Sequence, residues 1–213
     1  MEELPEGVVH WDGPGLDAWE AWTPTEVAER LADLTVPWQV VGGWAIDLFL
    51  GRITRPHDDL EIAVLRRDFA SVREQLDGLV LHAVGDGEVR LLPPDVEPPA
   101  HRHQTWALDP EASRWRVDVM LEEGDRATWV CRRDESITAS REVMTRVTVD
   151  GVPYLAPAGA LLYKAKARRP KDQADFDVCL PSLTEDERDW LAWALGVAHP
   201  GHVWIDRLRG AGS

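Results

Sequence analysis

The stretch from Trp38 to Gly51 changes its period part-way along, and that change limits the folds open to the chain. Trp38-Gln39-Val40-Val41 reads as a short strand, the pair Gly42-Gly43 follows, and Trp44 to Leu50 reads as a helix stopped by Gly51. A strand turning directly into a helix is the corner of an α/β layer. The same run is the longest apolar-leaning one in the chain, yet Gln39, the glycines and Asp47 cut it far short of the roughly 20 residues that a membrane span needs. Free backbone N–H groups at such a helix start favour an anion, and glycines let a phosphate come close; a plain Gly-Gly turn is the alternative.

The remaining elements are predicted around this corner. Residues 1–22, with Gly7, Gly13, Pro14, Gly15, Trp11, Trp19 and Trp22, read as an irregular arm. Thr23-Pro24-Thr25-Glu26 is a capping box opening a helix to about Asp33. Leu60 to Leu65 reads as a second strand, and Asp68 caps a helix through Leu76 that Gly78 ends. Short alternating stretches at 79–84, 87–92, 104–107, 114–121, 127–132 and 143–149 predict strands, with the proline-rich Pro93–Pro99 as a connection. From Ala156 helix formers take over, broken at Pro170, with a second capping box at Thr184-Glu185-Asp186-Glu187. The expected architecture is α/β (α+β): an arm over 1–22, a mixed-sheet lobe over 23–155 and a helical lobe over 156–213.

Three carboxylates draw attention. Asp59 and Glu61, two apart on a predicted strand, share a face about 7 Å apart and could reach one or two divalent cations. Asp118, within Arg116-Val117-Asp118-Val119-Met120, is an acid embedded in an apolar strand. A glycine corner, a D-x-E strand and a further strand with one acid together suit two-metal phosphoryl chemistry. Solvated acids or a simple arginine pair are the plainer readings. His101 and His103, beside the proline loop, read as solvated.

These residues resemble a known family. Gly42-Gly43-Trp44-Ala45-Ile46-Asp47, Leu50-Gly51-Arg52 and Arg55-Pro56-His57-Asp58-Asp59-Leu60-Glu61 are similar to the signature of the aminoglycoside 2''-nucleotidyltransferase-like branch of the polymerase-beta-type nucleotidyltransferase superfamily. Arg116 to Leu121 and the run Lys164, Arg168, Lys171, Asp172, Asp175 extend the likeness over roughly residues 38–180. The resemblance implies a nucleotidyltransferase-type fold, two Mg²⁺ ions on Asp59, Glu61 and Asp118, and Asp118 as general base. It implies that Gly42, Gly43, Arg55 and Lys164 bind the nucleotide, and that Asp172, Asp175 and His57 contact the acceptor or orient other groups. The superfamily commonly has Asp where this chain has Glu61. On the residues alone, Arg55 and His57 also read as partners of Asp47 or Asp58, and Lys164 as a partner of Asp172 or Asp175.

The function expected is transfer of a nucleoside monophosphate from a nucleoside triphosphate, ATP favoured, to a hydroxyl of a small, cationic, aminoglycoside-like acceptor, with release of pyrophosphate. A toxin-type enzyme acting on protein or tRNA and a non-catalytic nucleotide-binding module are the alternatives. With 23 Lys and Arg against 38 Asp and Glu, the net charge of −15 disfavours nucleic acid and attracts polycations. Against that background, five basic residues within 164–171 make a local positive field suited to a polyanion. The N-terminus lacks a basic and apolar leader, no membrane contact is expected, and the cytoplasm is the expected location. Cys131 and Cys179 lack CxxC spacing and read as buried free thiols. Of the 11 tryptophans, Trp44 is placed beneath the phosphate site, while Trp106, Trp115, Trp129, Trp190 and Trp193 are assigned to the core.

Overall fold

The computed structural model describes residues 13–210, so the part of the expected arm that carries Gly7 and Trp11 lies outside the described residues. Thr23 caps α1 (Pro24–Arg30) as its sequence predicts: Thr23 Oγ1 accepts from the Glu26 amide, and the Glu26 carboxylate accepts from the Thr23 amide. β1 (Trp38–Val40) runs into α2 (Gly42–Leu50), which Gly51 closes in the left-handed region at φ 65°. The glycine pair is thus the first turn of the helix, two residues earlier than its apolar period suggests. β2 (Glu61–Leu65) and α3 (Phe69–Gln75) follow.

The middle of the chain carries β3 (Val80–Gly85), β4 (Glu88–Leu91), β5 (Gln104–Asp109), β6 (Arg114–Glu122), β7 (Thr128–Val130) and β8 (Thr138–Ser140). The single strand expected over 143–149 is divided into α4 (Arg141–Met144) and β9 (Thr145–Val147), and β10 (Pro153–Leu155) comes after it. β8 and β10 have three residues each, too few to display an alternation. Helices α5 (Pro157–Lys164), α6 (Pro170–Cys179), α7 (Glu185–Ala198) and α8 (Trp204–Gly210) complete the fold, with the capping box at Thr184 in place.

Eight strands form one mixed sheet in the order β4-β3-β5-β6-β2-β1-β10-β9. Its central pairs β2/β6 and β1/β10 are parallel, and β7 and β8 form a separate hairpin. The described part of the arm is strapped to the start of β6: the Trp115 amide donates to Ala18 O at 3.0 Å, and the Glu20 and Trp22 amides donate to Trp115 O and Arg116 O at 3.1 and 3.0 Å. Trp19, Trp106 and Trp115 lock edge to face behind it.

A single apolar core joins the sheet to the C-terminal helices. Ile62 of β2, Ile46 of α2, Leu161 of α5, Leu195 of α7 and Trp204 of α8 all belong to it. Trp115 and Trp129 are fully buried, as expected, but Trp193 is 48% exposed. Three residues advance a helix by about 300°, so with Trp190 turned onto Trp129, Trp193 falls at the rim. No helix among the described residues is long and apolar enough to cross a membrane.

Candidate active site

Parallel pairing of β2 with β6 sets Glu61 opposite Asp118 in register, so two carboxylates from distant parts of the chain stand side by side on one face of the sheet. Asp118 is 2% exposed. Its Oδ2 accepts from Gln104 Nε2 at 2.6 Å, whereas its buried Oδ1 has no well-formed hydrogen bond among the described residues, the Trp106 indole N–H serving only as a nearby dipole. Burial, followed by the Glu61 charge, pushes the Asp118 carboxyl well above its usual range, with the Gln104 hydrogen bond opposing. Burial and Asp59 likewise raise Glu61, against the pull of Lys164, Lys171 and Arg169.

Asp59 departs from its predicted place. The strand begins at Glu61, and Asp59 is exposed in the approach loop rather than on the strand face. That loop is held by its neighbours. His57 Nε2 meets Asp47 Oδ2 at 2.6 Å and its ring stacks on Trp44, with centroids 4.5 Å apart. Arg55 Nη1 donates to His57 Nδ1 at 3.2 Å; because arginine can only donate, the ring proton sits on Nε2 and points to Asp47. His57 therefore ties the loop to α2.

Gly42 and Gly43 have a tighter role than an open phosphate cradle. A Cβ on Gly42, where φ is +67°, would lie 1.8 Å from Glu61 Oε2. One on Gly43 would lie 2.4 Å from Arg55 Nη2 and 2.7 Å from His57 Nδ1. The glycines make room for the acid and for the loop that carries Asp59.

The basic residues divide. Arg55 grips Asp175 with both Nε–Oδ1 and Nη2–Oδ2 at 3.1 Å, and Lys164 Nζ meets the same carboxylate at 2.7 Å. Arg55 and Lys164, expected on the nucleotide, thus first meet an acid, because β2's approach loop and helices α5 and α6 converge at Asp175. Burial alone would raise Asp175, but hydrogen bonds from Arg55 and Lys164 outweigh it and hold the carboxyl below its usual value. Asp172, fully buried, accepts from the Arg169 amide and guanidinium at the start of α6. Neither Asp172 nor Asp175 is open to an acceptor.

A cavity of about 150 Å³ lies between the sheet and α5, walled by Gly42, Glu61, Lys164, Arg169, Arg132 and Arg133. Arg132 and Arg133, which follow β7, escape a sequence reading that looks only at the run after 164; the adjacent arginines at a strand end were the available signal. A second cleft of about 350 Å³ opens beyond Trp44 and His57, with Asp17, Glu20, Trp22 and Asp58 on its walls. The donor set of Glu61 and Asp118, hard oxygens with one orphaned, suits a divalent cation, although among the described residues no three acid, imidazole or thiol side chains already converge as a ligand cluster.

Residues 25–97 match the family described as aminoglycoside-2''-adenylyltransferase. A 2''-aminoglycoside nucleotidyltransferase from Escherichia coli is 38% identical over 55 residues, 24% of this chain and 31% of that relative; the Klebsiella pneumoniae protein aligns equally. The alignment therefore spans under a third of those relatives. The solution structure of the antibiotic-resistance factor ANT(2'')-Ia superposes with a TM-score of 0.56 at 13% identity, covering 88% of this chain and 95% of that one. The fold is that of a nucleotidyltransferase. A lincomycin-bound lincosamide adenylyltransferase, LnuA, has a TM-score of 0.50 at 14% identity over 72% of this chain and 91% of that one. The matched segment 25–97 takes in the glycine corner, Arg55, His57, Asp59 and Glu61 of this nucleotidyltransferase fold; Asp118 and the C-terminal helices lie beyond it.

Proposed function

We propose that the chain is a cytoplasmic, Mg²⁺-dependent nucleotidyltransferase that moves a nucleoside monophosphate, from ATP by preference, to a hydroxyl of a small cationic acceptor resembling an aminoglycoside, releasing pyrophosphate. The observation that carries this reading is the register of Asp118 against Glu61, which itself lines a cavity walled by cations, in a protein whose net charge is −15.

Asp59, Glu61 and Asp118 would hold the metal ions, which when bound supply charge neutralisation at the reacting phosphate and the leaving group. The chain's own groups do the rest. Cationic side chains around the cavity bind the polyphosphate, and the first turn of α2 presents its backbone amides to it. The acceptor hydroxyl oxygen forms a bond to the α-phosphorus as the bond to the bridging oxygen breaks, pyrophosphate carries away that electron pair, and Asp118 takes the hydroxyl proton. The cleft with Asp17, Glu20 and Asp58 among tryptophans is the complementary place for a cationic acceptor. Asp175 and His57 orient Arg55 and Asp59 rather than touch substrate.

The test is mass spectrometry of aminoglycosides, lincosamides, tRNA and cell extract incubated with the four nucleoside triphosphates and Mg²⁺, beside Asp59→Asn. A nucleotide-sized gain that the variant abolishes is the expected result. Full transfer by Asp59→Asn would sink the assignment, and nucleotide binding with no transfer to any acceptor would make the chain a binding module.

A further inference from the structure

Four cationic side chains face the cavity beside Glu61, but three of them have a partner already. Lys164 sits 2.7 Å from Asp175, and Arg169 is forked onto Asp172 at 2.9 and 3.1 Å. Arg133 donates to the Tyr163 carbonyl and lies over the Tyr163 ring, 5.2 Å from its centroid. Arg132 differs: among the described residues its guanidinium makes no hydrogen bond or ion pair, and only its backbone amide is tied down, donating to Tyr163 Oη at 3.2 Å.

We infer that Arg132 is the principal polyphosphate ligand of this cavity, gripping the β- and γ-phosphates that leave together as pyrophosphate. This deepens the nucleotidyltransferase reading and rests on it for the identity of the anion.

The argument is one of charge and rigidity. A half-buried guanidinium with no protein acceptor among the described residues has its donors free for an anion, and a planar fork fits two phosphate oxygens at once. Lys164 and Arg169 spend most of their charge on Asp175 and Asp172, so a phosphate arriving there competes with a carboxylate. At Arg132 it competes with none. Arg133, directly adjacent, is destabilised as a cation by burial and then by the Arg132 charge, and an anion between the two relieves both.

The loop is also held firmly enough to aim the group. The hairpin of β7 and β8 is fastened to the main sheet by a buried ion pair, Arg141 Nη1 to Glu122 Oε2 at 2.9 Å. Trp129 Nε1 donates to the same Glu122 carboxylate at 3.3 Å. Within the loop, the Cys131 amide donates to Ile137 O at 2.9 Å and the Asp134 amide to Cys131 O at 3.1 Å. Tyr163, from the helix opposite, meets both arginines. Arg132 thus lines the same cavity as Gly42, at the corner where the remainder of the nucleotide would lie.

The experiment is titration calorimetry of the full chain with Mg²⁺-pyrophosphate, Mg²⁺-ATP and AMP, for wild type, Arg132→Ala, Arg132→Lys and the distant surface variant Arg209→Ala. Arg132→Ala is expected to weaken pyrophosphate and ATP about tenfold or more, which is about 1.4 kcal/mol, while AMP changes less than twofold. Arg132→Lys should recover part of the loss, and Arg209→Ala should match wild type. Because the Arg132 side chain makes no hydrogen bond or ion pair among the described residues, the variants should melt with wild type; if Arg132→Ala does not, Arg132→Lys against wild type on pyrophosphate decides. Unchanged pyrophosphate binding in Arg132→Ala, or equal losses for AMP and ATP, would overturn the inference. Arg132-dependent pyrophosphate binding in a protein that transfers to no acceptor would leave it standing and remove the transferase reading instead.

Discussion

Gly42 is constrained from two directions, by its own backbone and by an acid reaching across it. At φ +67°, any L side chain is strained, and its Cβ would stand 1.8 Å from Glu61 Oε2. Gly42→Ala should therefore cost about 1–3 kcal/mol in chemical denaturation and, by displacing Glu61, abolish transfer. The glycine so makes room for the full length of the Glu61 side chain. Asp175 is the second such point, a carboxylate shared by Arg55 and Lys164. Asp175→Asn would leave two cations in an uncompensated pocket, a loss of about 3 kcal/mol at pH 7. Its folded-state pKa lies below the unfolded value of about 3.9, so the contribution is complete above that value and is lost as pH falls through the folded one. Urea melts at pH 7, 5 and 2.5 should show the gap between wild type and variant constant over the first two and closing at the last. Cys179 is buried, with its thiol pushed up to about 12 first by burial and then by Asp175; Cys131 is buried too. Both should resist an aqueous disulfide reagent in the native protein and react after denaturation.

At the scale of elements, Glu122 and Arg141 fasten the β7–β8 hairpin to the sheet, and both are buried. Arg141→Ala should cost about 3–5 kcal/mol by stranding Glu122, whereas Arg141→Ala combined with Glu122→Leu should recover much of it, a difference that a double-mutant cycle in urea reads directly. Local sequence codes predicted elements best where capping and glycine chemistry mark an end. Thr23, Thr184 and Gly51 act as their positions announce, because caps are decided within four residues. Partnerships across the chain were less legible. Nothing near Lys164 in sequence reveals that Arg55 shares its acid, since that meeting depends on β2's approach loop arriving beside α6. The spacing from Glu61 predicts a strand position for Asp59, but the ties of Arg55 and His57 outweigh strand propensity at residues 54–59. Arg132 is silent in the sequence for a similar reason: its significance comes from lacking a side-chain partner among the described residues, which only the assembled cavity displays.

For the whole molecule, the arrangement read from composition is a sheet lobe followed by a helical lobe, and the core bears on how independent they are. Val40, Ala45 and Ile62 from the sheet half pack in one continuous cluster with Leu161, Phe176, Leu195 and Trp204 from the helical half, all at most 1% exposed. The ion pairs at Asp175 cross the same boundary, joining Arg55 from before β2 to Lys164 of α5. Two lobes with separate cores would melt in two steps; a shared core leaves neither half enough buried apolar surface to persist alone. Calorimetry should accordingly give one transition, with the calorimetric and van't Hoff enthalpies equal. Phe176→Ala, which removes the ring stacked 4.2 Å from Trp204, should lower that single transition by the equivalent of about 3–5 kcal/mol rather than split it. A low-temperature step that leaves far-UV β signal intact would show the lobes to be separable. In that case Asp175 would be a hinge contact and not part of a rigid frame, and the cavity between sheet and α5 would open and close with it.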